Sequence, residues 1–328
     1  MRVFIAGATG VLGRRLVERC ADRGHDVVGL TRDEQGATRI RDRGGEPHRG
    51  DVLEEDSLVA GAADADVVVH AATKIPTDTN PSAADWQQND RVRREGARNL
   101  VSAATEADAD RFLQQSIVWV ARQPDGEQFD ETADPNPDPS TQSALDAERH
   151  VLNAGQNHGF EPVVLRGGWF YAHDTAHTQL YGERLLTSRM PIIAGGLLGR
   201  EDATLSFVHV DDAALAFAEA IEGDAAGVFH VVDDRPTTYA EFLRTFADRL
   251  ETSSPRRIPA WLARLFIDEH LLRLITCSMP TTNERFREAF DWEPRYPTVE
   301  QGLDEVVDRW RKNGLLRKTE GEFAWTGA

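Results

Sequence analysis

Residues 3–13 read Val-Phe-Ile-Ala-Gly-Ala-Thr-Gly-Val-Leu-Gly, and this stretch decides the fold. Four apolar residues predict a short buried strand, and the glycines after them predict a tight turn into a helix. Gly7 permits the turn, Gly10 lets a phosphate approach the backbone, and Gly13 lets the helix pack against the strand. Because the free N–H groups at a helix start attract phosphate, the stretch predicts a dinucleotide-binding loop.

Short apolar runs alternate with helical patterns after this loop. Further strands are predicted at residues 26–30, 66–70, 111–115 and 162–166, and a strand at 227–232 is predicted to return to the sheet edge. Each interval in the first half is long enough for a crossover helix. The order of elements therefore predicts an α/β fold, a doubly wound parallel sheet with helices on both faces.

The pattern changes after residue 166, which predicts a smaller C-terminal substrate lobe. We expect the nucleotide-binding domain at 1–166 plus about 226–234, the lobe at 167–225 and 235–312, and a loosely held tail at 313–328. Segment 122–142 is rich in Pro, Asp and Ser, and it predicts a loop over the site.

The charge excludes several classes of partner. The net charge is −18, and Lys74, Lys312 and Lys318 are the only lysines. Such a surface repels nucleic acid and anionic membranes, so a small-molecule substrate is the expected partner. No apolar stretch is long enough to span a bilayer, and the N-terminus lacks a signal-peptide pattern, so a cytoplasmic location is expected.

The acidity also bears on the source of the chain. An excess of carboxylates with few lysines is typical of proteins from salt-loving microbes, which we expect here. The alternative is an ordinary acidic protein from a GC-rich genome. Cys20 and Cys277 form no ligand pattern, and no metal site is expected.

Several motifs carry a family resemblance. Residues 7–13, Gly-Ala-Thr-Gly-x-x-Gly, resemble the fingerprint of extended and atypical short-chain dehydrogenases/reductases, the NAD-dependent epimerase/dehydratase group. Stretches similar to the family's later motifs follow in order at 50–51, 70–72, 166–171, 207–213 and 292–294. The resemblance implies a Rossmann fold that binds NAD or NADP. It implies cofactor contacts from Gly7, Thr9, Gly10, Val11, Leu12, Gly13, Asp51, Val52, Ala71, Ala72, Ser116 and Arg166.

The end of the second predicted strand bears on the choice of cofactor. NAD-preferring domains place a carboxylate there for the adenosine ribose, but this chain has Thr31 followed by Arg32. An arginine at this position can pair with a 2′-phosphate. NADP is therefore the predicted cofactor. NAD stays an alternative, because Asp33 and Glu34 follow at once and Arg32 could be an ordinary surface residue.

The family's usual catalytic pair is absent. The resemblance implies a Ser or Thr after the family's fifth strand, which is the strand predicted here at 111–115, and Ser116 supplies it. It also implies a Tyr-x-x-x-Lys on the next helix. Aligning Ala147 and Glu148 with the family's Ala-Glu puts Ser140 at the Tyr position and Ala144 at the Lys position. Serine cannot replace a tuned phenol, and alanine carries no proton. We therefore expect an atypical member.

Three residues could substitute as proton donors near Ser116. Tyr171 and His173 follow the strand predicted at 162–166, and Lys74 follows the strand predicted at 66–70. All three are therefore expected at the carboxyl edge of the sheet. Tyr171 could instead be a core residue, and Lys74 a solvated cation. His209 with the two aspartates after it is interpreted as a helix start, not a metal site.

Two hypotheses of function follow. The first is an epimerase, dehydratase or reductase acting on a sugar nucleotide or similar polar carbonyl compound by a non-standard site. The second is a non-catalytic protein that binds or senses NADP(H). The family's habits favour the enzyme, by analogy alone.

A homodimer is a further expectation. Family members pair two helices, here about 84–106 and 141–157, into a bundle. The cations on the first helix and the acids on the second could pair across a dimer or form solvated faces. The residues concerned are Arg91, Arg93, Arg94 and Arg98 on one side and Asp146 and Glu148 on the other.

Overall fold

The computed structural model describes residues 1–76, 81–319 and 322–326. The strands are β1 Arg2–Ala6, β2 Asp26–Thr31, β3 Glu46–Arg49, β4 Val67–His70, β5 Arg111–Ile117, β6 Glu161–Gly167, β7 Trp169–Tyr171, β8 Ile192–Ala194, β9 Thr204–Leu205, β10 Phe207–His209, β11 Gly227–Val231, β12 Thr237–Thr238, β13 Arg257–Pro259, β14 Leu316–Thr319 and β15 Glu322–Trp325. The helices are α1 Gly13–Asp22, α2 Glu34–Arg41, α3 Glu55–Ala62, α4 Ala83–Glu106, α5 Gln142–His158, α6 Ala176–Leu186, α7 Val210–Glu222, α8 Tyr239–Arg249, α9 Ala260–Ala263, α10 Glu269–Thr276, α11 Glu284–Ala289 and α12 Val299–Lys312.

A parallel sheet organises the first half of the chain. Its seven strands lie in the order β11-β6-β5-β4-β1-β2-β3, and every neighbouring pair is parallel. Along β1, Val3 and Ile5 face one core while Phe4 faces the other, because successive side chains point to opposite faces. The sheet confirms the predicted doubly wound α/β fold, and β11 lies at the edge beside β6.

Helices cover both faces of the sheet. On one face Leu16 of α1 and Phe217 of α7 are buried in a common core. On the other face the core holds Leu58 of α3, Leu100 of α4 and Val151 of α5. Each such side chain contributes about 1.5–3 kcal/mol when fully buried. We expected α7 in the substrate lobe, but it packs on the sheet beside α1 because its apolar stripe faces β5 and β6.

The second lobe is built on aromatic packing. Phe207 of β10 stacks on Phe242 of α8 with ring centroids 4.6 Å apart. Phe246 of α8 lies 5.5 Å from the fully buried Trp310 of α12. Three two-stranded ladders, β7 with β10, β8 with β13, and β9 with β12, hold these helices together.

Residues 316–319 and 322–325, within the segment that we expected to be a loosely held tail, form two paired strands. Strands β14 and β15 pair antiparallel, and the ring of Trp325 lies 4.9 Å from that of Trp310. Leu316 is buried. Two strands of four residues are too short to show a clear period in the sequence, and their apolar side chains find a partner only in the folded lobe.

Helices α4 and α5 pack against each other within one chain. The Arg94 guanidinium donates to Asp146 at 2.7 Å, and Arg91 pairs with Glu95 on its own helix. Arg93 and Glu148 are buried. Arg91 and Arg94 are thus paired inside the chain, whereas Arg98 is exposed and makes no ion pair among the described residues.

Segment 122–142 is irregular, as predicted, after a single 3₁₀ turn at Val118–Ala121. The amide of Phe129 donates to the carbonyl of Pro280 at 3.1 Å, and the amide of His230 donates to the Glu131 carboxylate at 2.6 Å. The segment thus covers the β11 edge of the sheet. Among residues 1–76, 81–319 and 322–326, no helix is both long and apolar enough to cross a membrane.

Candidate active site

The glycine loop is built so that two of its glycines serve the fold and one faces outward. Gly7 has φ +92°, and a Cβ there would lie 2.5 Å from the carbonyl carbon of Ala71. A Cβ on Gly13 would overlap the carbonyl oxygen of Gly7. Gly10 is exposed, and the nearest atom to its missing Cβ is the Gly7 oxygen at 3.2 Å. The space above Gly10 is therefore free for a ligand.

The surroundings of the loop fit a dinucleotide. Thr9 and Val11 are half-buried beside Gly10, whereas Leu12 anchors the loop in the core. Within the described residues no side chain caps the start of α1. The first N–H groups of α1 can therefore serve a pyrophosphate.

The end of β4 forms the second wall of this site. The amide of Ala71 donates to the carbonyl of Ala6 at 2.9 Å, and Ala72 is half-buried. His70 before them is fully buried, and burial lowers its pKa to about 4, so its ring stays neutral. The strip is apolar and close to the glycine loop, as a flat cofactor requires.

The adenosine end of the site is formed by the ends of β2 and β3. Thr31 is buried, and its hydroxyl contacts the carbonyl of Asp33 at 3.2 Å. The Asp33 carboxylate accepts from the amide of Gly36 at 2.7 Å and thereby caps α2. This carboxylate serves its own helix, whereas Arg32 beside it is two-thirds exposed.

Arg32 and Asp51 lie side by side at this edge. The guanidinium of Arg32 is 3.9 Å from the Asp51 carboxylate, which also accepts from the amide of Leu53 at 3.0 Å. The side chain of Val52 is buried. Asp51 holds its loop in shape, and Arg32 is a long cation at the rim.

A buried network joins β5, α5 and β6. The Ser116 hydroxyl donates to Glu148, and Arg166 donates to both Glu148 oxygens, at 3.0 Å and 2.7 Å. All three residues are at most 4% exposed. The expectation that Arg166 contacts the cofactor needs correction, because its guanidinium is committed to Glu148. The Ser116 hydroxyl hydrogen is likewise used inside the protein and not offered to a substrate.

The network lies beside the two positions that the family resemblance assigns to the Tyr–Lys pair, Ser140 and Ala144. Glu148 stands one helical turn after Ala144, which is 3% exposed. Ser140 lies just before α5, and its hydroxyl donates to the Asp138 carboxylate at 2.6 Å. Burial alone would raise the pKa of Asp138, but the hydrogen bonds from Ser140 and the charge of Arg122 hold it below its ordinary value. A buried methyl group and a bound hydroxyl therefore stand at these positions.

Tyr171 is a core residue of the second lobe in this structure. Its side chain is fully buried, and its hydroxyl has no hydrogen-bond partner within the described ranges. Burial raises its pKa well above the ordinary value. Its ring packs edge-on against His209 at 5.3 Å, and Gly302 of α12 leaves room for the hydroxyl. The geometry favours packing over the catalytic role considered for it.

His173 and Lys74 lie in different surroundings. The His173 ring is 3.6 Å from Asp174 and 3.9 Å from Glu305, so it faces α12, and burial lowers its pKa. Lys74 is exposed after β4, and its amide donates to Asn89 at 2.9 Å. Of the proposed proton donors, Lys74 alone has an exposed side chain at the carboxyl edge of the sheet.

The motif at 207–213 does more than start a helix. The His209 ring, not an aspartate side chain, caps α7 by accepting from the amide of Asp211 at 3.2 Å. Asp211 pairs with Arg15 of α1. Asp212 accepts from the amides of Arg295 and Tyr296, each at 2.9 Å. The motif thus joins α1, α7 and the 292–296 segment, contacts that the capping interpretation missed.

The described part of the chain holds no group of three or more His, Cys, Asp or Glu side chains arranged to bind a metal ion.

The glycine geometry gives a matched pair of substitutions. Gly10→Val should leave the fold intact but fill the phosphate space, weakening dinucleotide binding at least about a hundredfold, or roughly 2.7 kcal/mol. Gly13→Ala should instead lower the free energy of unfolding by about 1–3 kcal/mol, because its methyl group meets backbone. Urea titration and calorimetric titration with NADP⁺ measure the two effects. Unchanged affinity in folded Gly10→Val would show that no phosphate lies there.

Known proteins resemble this chain in sequence and fold. Residues 3–232 match the NAD dependent epimerase/dehydratase family. A 3-diazoavenalumate denitrifying reductase from Streptomyces sp is 34% identical over 312 residues, covering 92% of this chain and 99% of the relative. A 4-hydroxy-2-methyl-3-oxo-4-farnesyl-3,4-dihydroquinoline-1-oxide ketoreductase from Stigmatella aurantiaca is 29% identical over 250 residues, covering 74% of this chain and 71% of the relative.

Among solved structures, a UDP-glucose 4-epimerase from Thermotoga maritima superposes with a TM-score of 0.78 at 17% identity. The superposition covers 95% of this chain and 99% of the epimerase, and it shows a shared fold. Since the family match spans most of the chain and a relative aligns along nearly its full length, the chain belongs to the NAD-dependent epimerase/dehydratase family.

Proposed function

We propose that this chain is an NADP(H)-dependent reductase whose small-molecule substrate accepts hydride without help from a Tyr–Lys pair. The observation that carries the proposal is that Ser140 and Ala144 stand where the resemblance implies Tyr and Lys, with Glu148 bonded to Ser116 and Arg166 one helical turn after Ala144. Two relatives named as reductases support the reaction class.

The missing pair limits which substrates can react well. Reduction of a carbonyl leaves charge on oxygen that an acid must neutralise, and sugar epimerisation begins with removal of a hydroxyl proton. Such acid–base groups contribute about a hundredfold to ten-thousandfold in rate. The Ser140 hydroxyl donates to Asp138, and a bound aliphatic hydroxyl cannot take this role. The polar carbonyl or sugar-nucleotide substrate implied by the resemblance would therefore react slowly here.

A cationic electrophile avoids this requirement. A diazonium group on an aromatic ring accepts hydride at its terminal nitrogen, and the net change is replacement of the group by hydrogen with release of N₂. No oxyanion develops, so no acid is needed beside it. The nicotinamide of the family's cofactor, when bound, supplies the hydride. The 34% identical relative is named for a diazo compound, which supports an aromatic diazo substrate or a similarly cationic one for this chain.

Two features of the chain support an aromatic cation. Trp119, three residues after Ser116, and Trp169 of β7 lie with ring centroids 5.8 Å apart. Both rings are buried in the core that lies beside Ser116, and the indole N–H of Trp119 has no partner among the described residues. The net charge of −18 also raises the local concentration of cations.

A non-catalytic NADP(H)-binding protein is the second candidate. The absent Tyr–Lys pair favours it, because the glycine loop serves binding and catalysis equally. Turnover separates the two candidates.

The substrate proposal predicts a strong preference between electrophiles. We expect the protein to oxidise NADPH with a benzenediazonium salt and to reduce acetophenone at least about a hundredfold more slowly. The diazonium rate should change little between about pH 6 and 8, because no protein acid takes part. Anaerobic stopped-flow absorbance of NADPH measures both, and folded Gly10→Val provides the uncatalysed background.

Other outcomes have distinct meanings. Equal rates on both compounds with a bell-shaped pH profile would show a functional acid–base pair and contradict the proposal. Tight NADPH binding without turnover of either compound would favour the non-catalytic protein.

We propose NADP over NAD as the cofactor because Arg32 lies where it can pair with the 2′-phosphate. Arg32→Ala should weaken NADP⁺ binding about tenfold or more, because a charged hydrogen bond to the 2′-phosphate is lost. NAD⁺ affinity should stay nearly unchanged. Calorimetric titration of both cofactors checks this, with Arg39→Ala on the exposed side of α2 as the control. Equal losses for NAD⁺ and NADP⁺ would show that Arg32 does not contact the 2′-phosphate.

A further inference from the structure

An exposed apolar tip projects from the second lobe. Leu197 and Leu198 follow β8, and Trp261, Leu265 and Phe266 lie on and after α9. Leu197 is 80% exposed and Phe266 is 76% exposed. With Leu262, these side chains are six of the eight large apolar residues exposed in the described part of the chain. Such a concentration marks a surface that is covered by something else.

Contacts between the two segments make the tip one surface. Strands β8 and β13 pair in parallel, with Ala194 opposite Pro259. The indole N–H of Trp261 donates to the carbonyl of Leu197 at 3.1 Å, and Arg257 donates to the carbonyl of Gly199 at 2.9 Å. These polar groups at the base are thus satisfied, whereas the apolar side chains beside them are left exposed.

The charge of the tip is opposite to that of the molecule. Residues 184–200 and 252–267 contain no Asp or Glu, although the chain carries 55 acidic residues. Arg200, Arg256 and Arg264 are exposed and make no ion pair within the described ranges. Along the chain the carboxylates that flank these two stretches are Glu183, Glu201, Glu251 and Asp268, of which Asp268 caps α10. The tip therefore combines Trp, Phe and Leu with unpaired arginines.

We propose that this tip, residues 195–200 and 256–267, docks on an anionic lipid bilayer. Trp, Phe and Leu side chains insert at the boundary of headgroups and acyl chains, and nearby arginines bind anionic headgroups. The exposed arginines without ion pairs match an anionic surface, which favours the bilayer over an apolar protein partner. The rest of the surface is acidic, and we expected it to repel anionic membranes. This repulsion would orient the molecule so that only the tip faces the bilayer. The proposal is independent of the proposed reductase activity.

Vesicle sedimentation of the full chain tests the docking. We expect binding to vesicles of phosphatidylcholine with phosphatidylglycerol, and weak binding to phosphatidylcholine alone. Arg200→Glu with Arg264→Glu should reduce partitioning at least about twentyfold, since each arginine near a charged surface contributes about fivefold. Leu265→Ser with Phe266→Ser should abolish the binding that persists at high salt.

Matched controls separate docking from general charge and from self-association. Arg39→Glu with Arg98→Glu makes the same charge change on exposed, unpaired arginines of α2 and α4, and it should leave partitioning within about threefold of wild type. Circular dichroism and melting confirm that each variant is folded. Absence of vesicle binding, or equal losses in the control, would overturn the proposal. A dimer by light scattering that Leu265→Ser with Phe266→Ser converts to a monomer would assign the tip to a second copy instead.

Discussion

The buried network of Ser116, Glu148 and Arg166 is the constraint on which the site depends. It holds the end of β5, the middle of α5 and the end of β6 together in a region without water. Removing one partner of such a pair leaves a buried charge uncompensated and costs about 3–5 kcal/mol. Because Glu148 cannot move along α5 without breaking these bonds, the residues one and two turns before it are fixed as well. The network thus fixes where the Ala144 methyl group and the Ser140 hydroxyl lie relative to Ser116 and Arg166.

Binding and acid–base functions are separated along the sheet edge. The features expected to bind a dinucleotide are the glycine loop, Ala71 and Ala72 after β4, and the exposed Arg32. The α1 helix that would carry the pyrophosphate is tied through Arg15 to Asp174 after β7 and to Asp211 of α7. Under the register that the resemblance implies, the Tyr and Lys positions hold a bound hydroxyl and a methyl group. This division is what a hydride-accepting cation would permit.

Local patterns predicted six of the seven sheet strands and the glycine loop, because those strands carry buried apolar runs and Gly7 and Gly13 meet backbone atoms. They missed β3 at Glu46–Arg49, whose side chains are exposed or half-buried. The family resemblance added the register of α5. Local patterns could not show contacts between distant residues. Arg166 donates to Glu148, eighteen residues earlier in the chain, and Arg94 donates to Asp146. The ring of Trp325 packs against that of Trp310. Domain limits, cofactor choice and catalytic roles stay predictions.

A crystal structure with NADP⁺ bound tests the central claim most directly. We expect the nicotinamide ribose to face Ser140 and Ala144, with Glu148 still bonded to Ser116 and Arg166, and with no phenol or ammonium group within hydrogen-bonding distance of the ribose hydroxyls. A tyrosine and a lysine brought together at that ribose from elsewhere in the chain would contradict the register. The protein would then be an ordinary acid–base catalyst of its family.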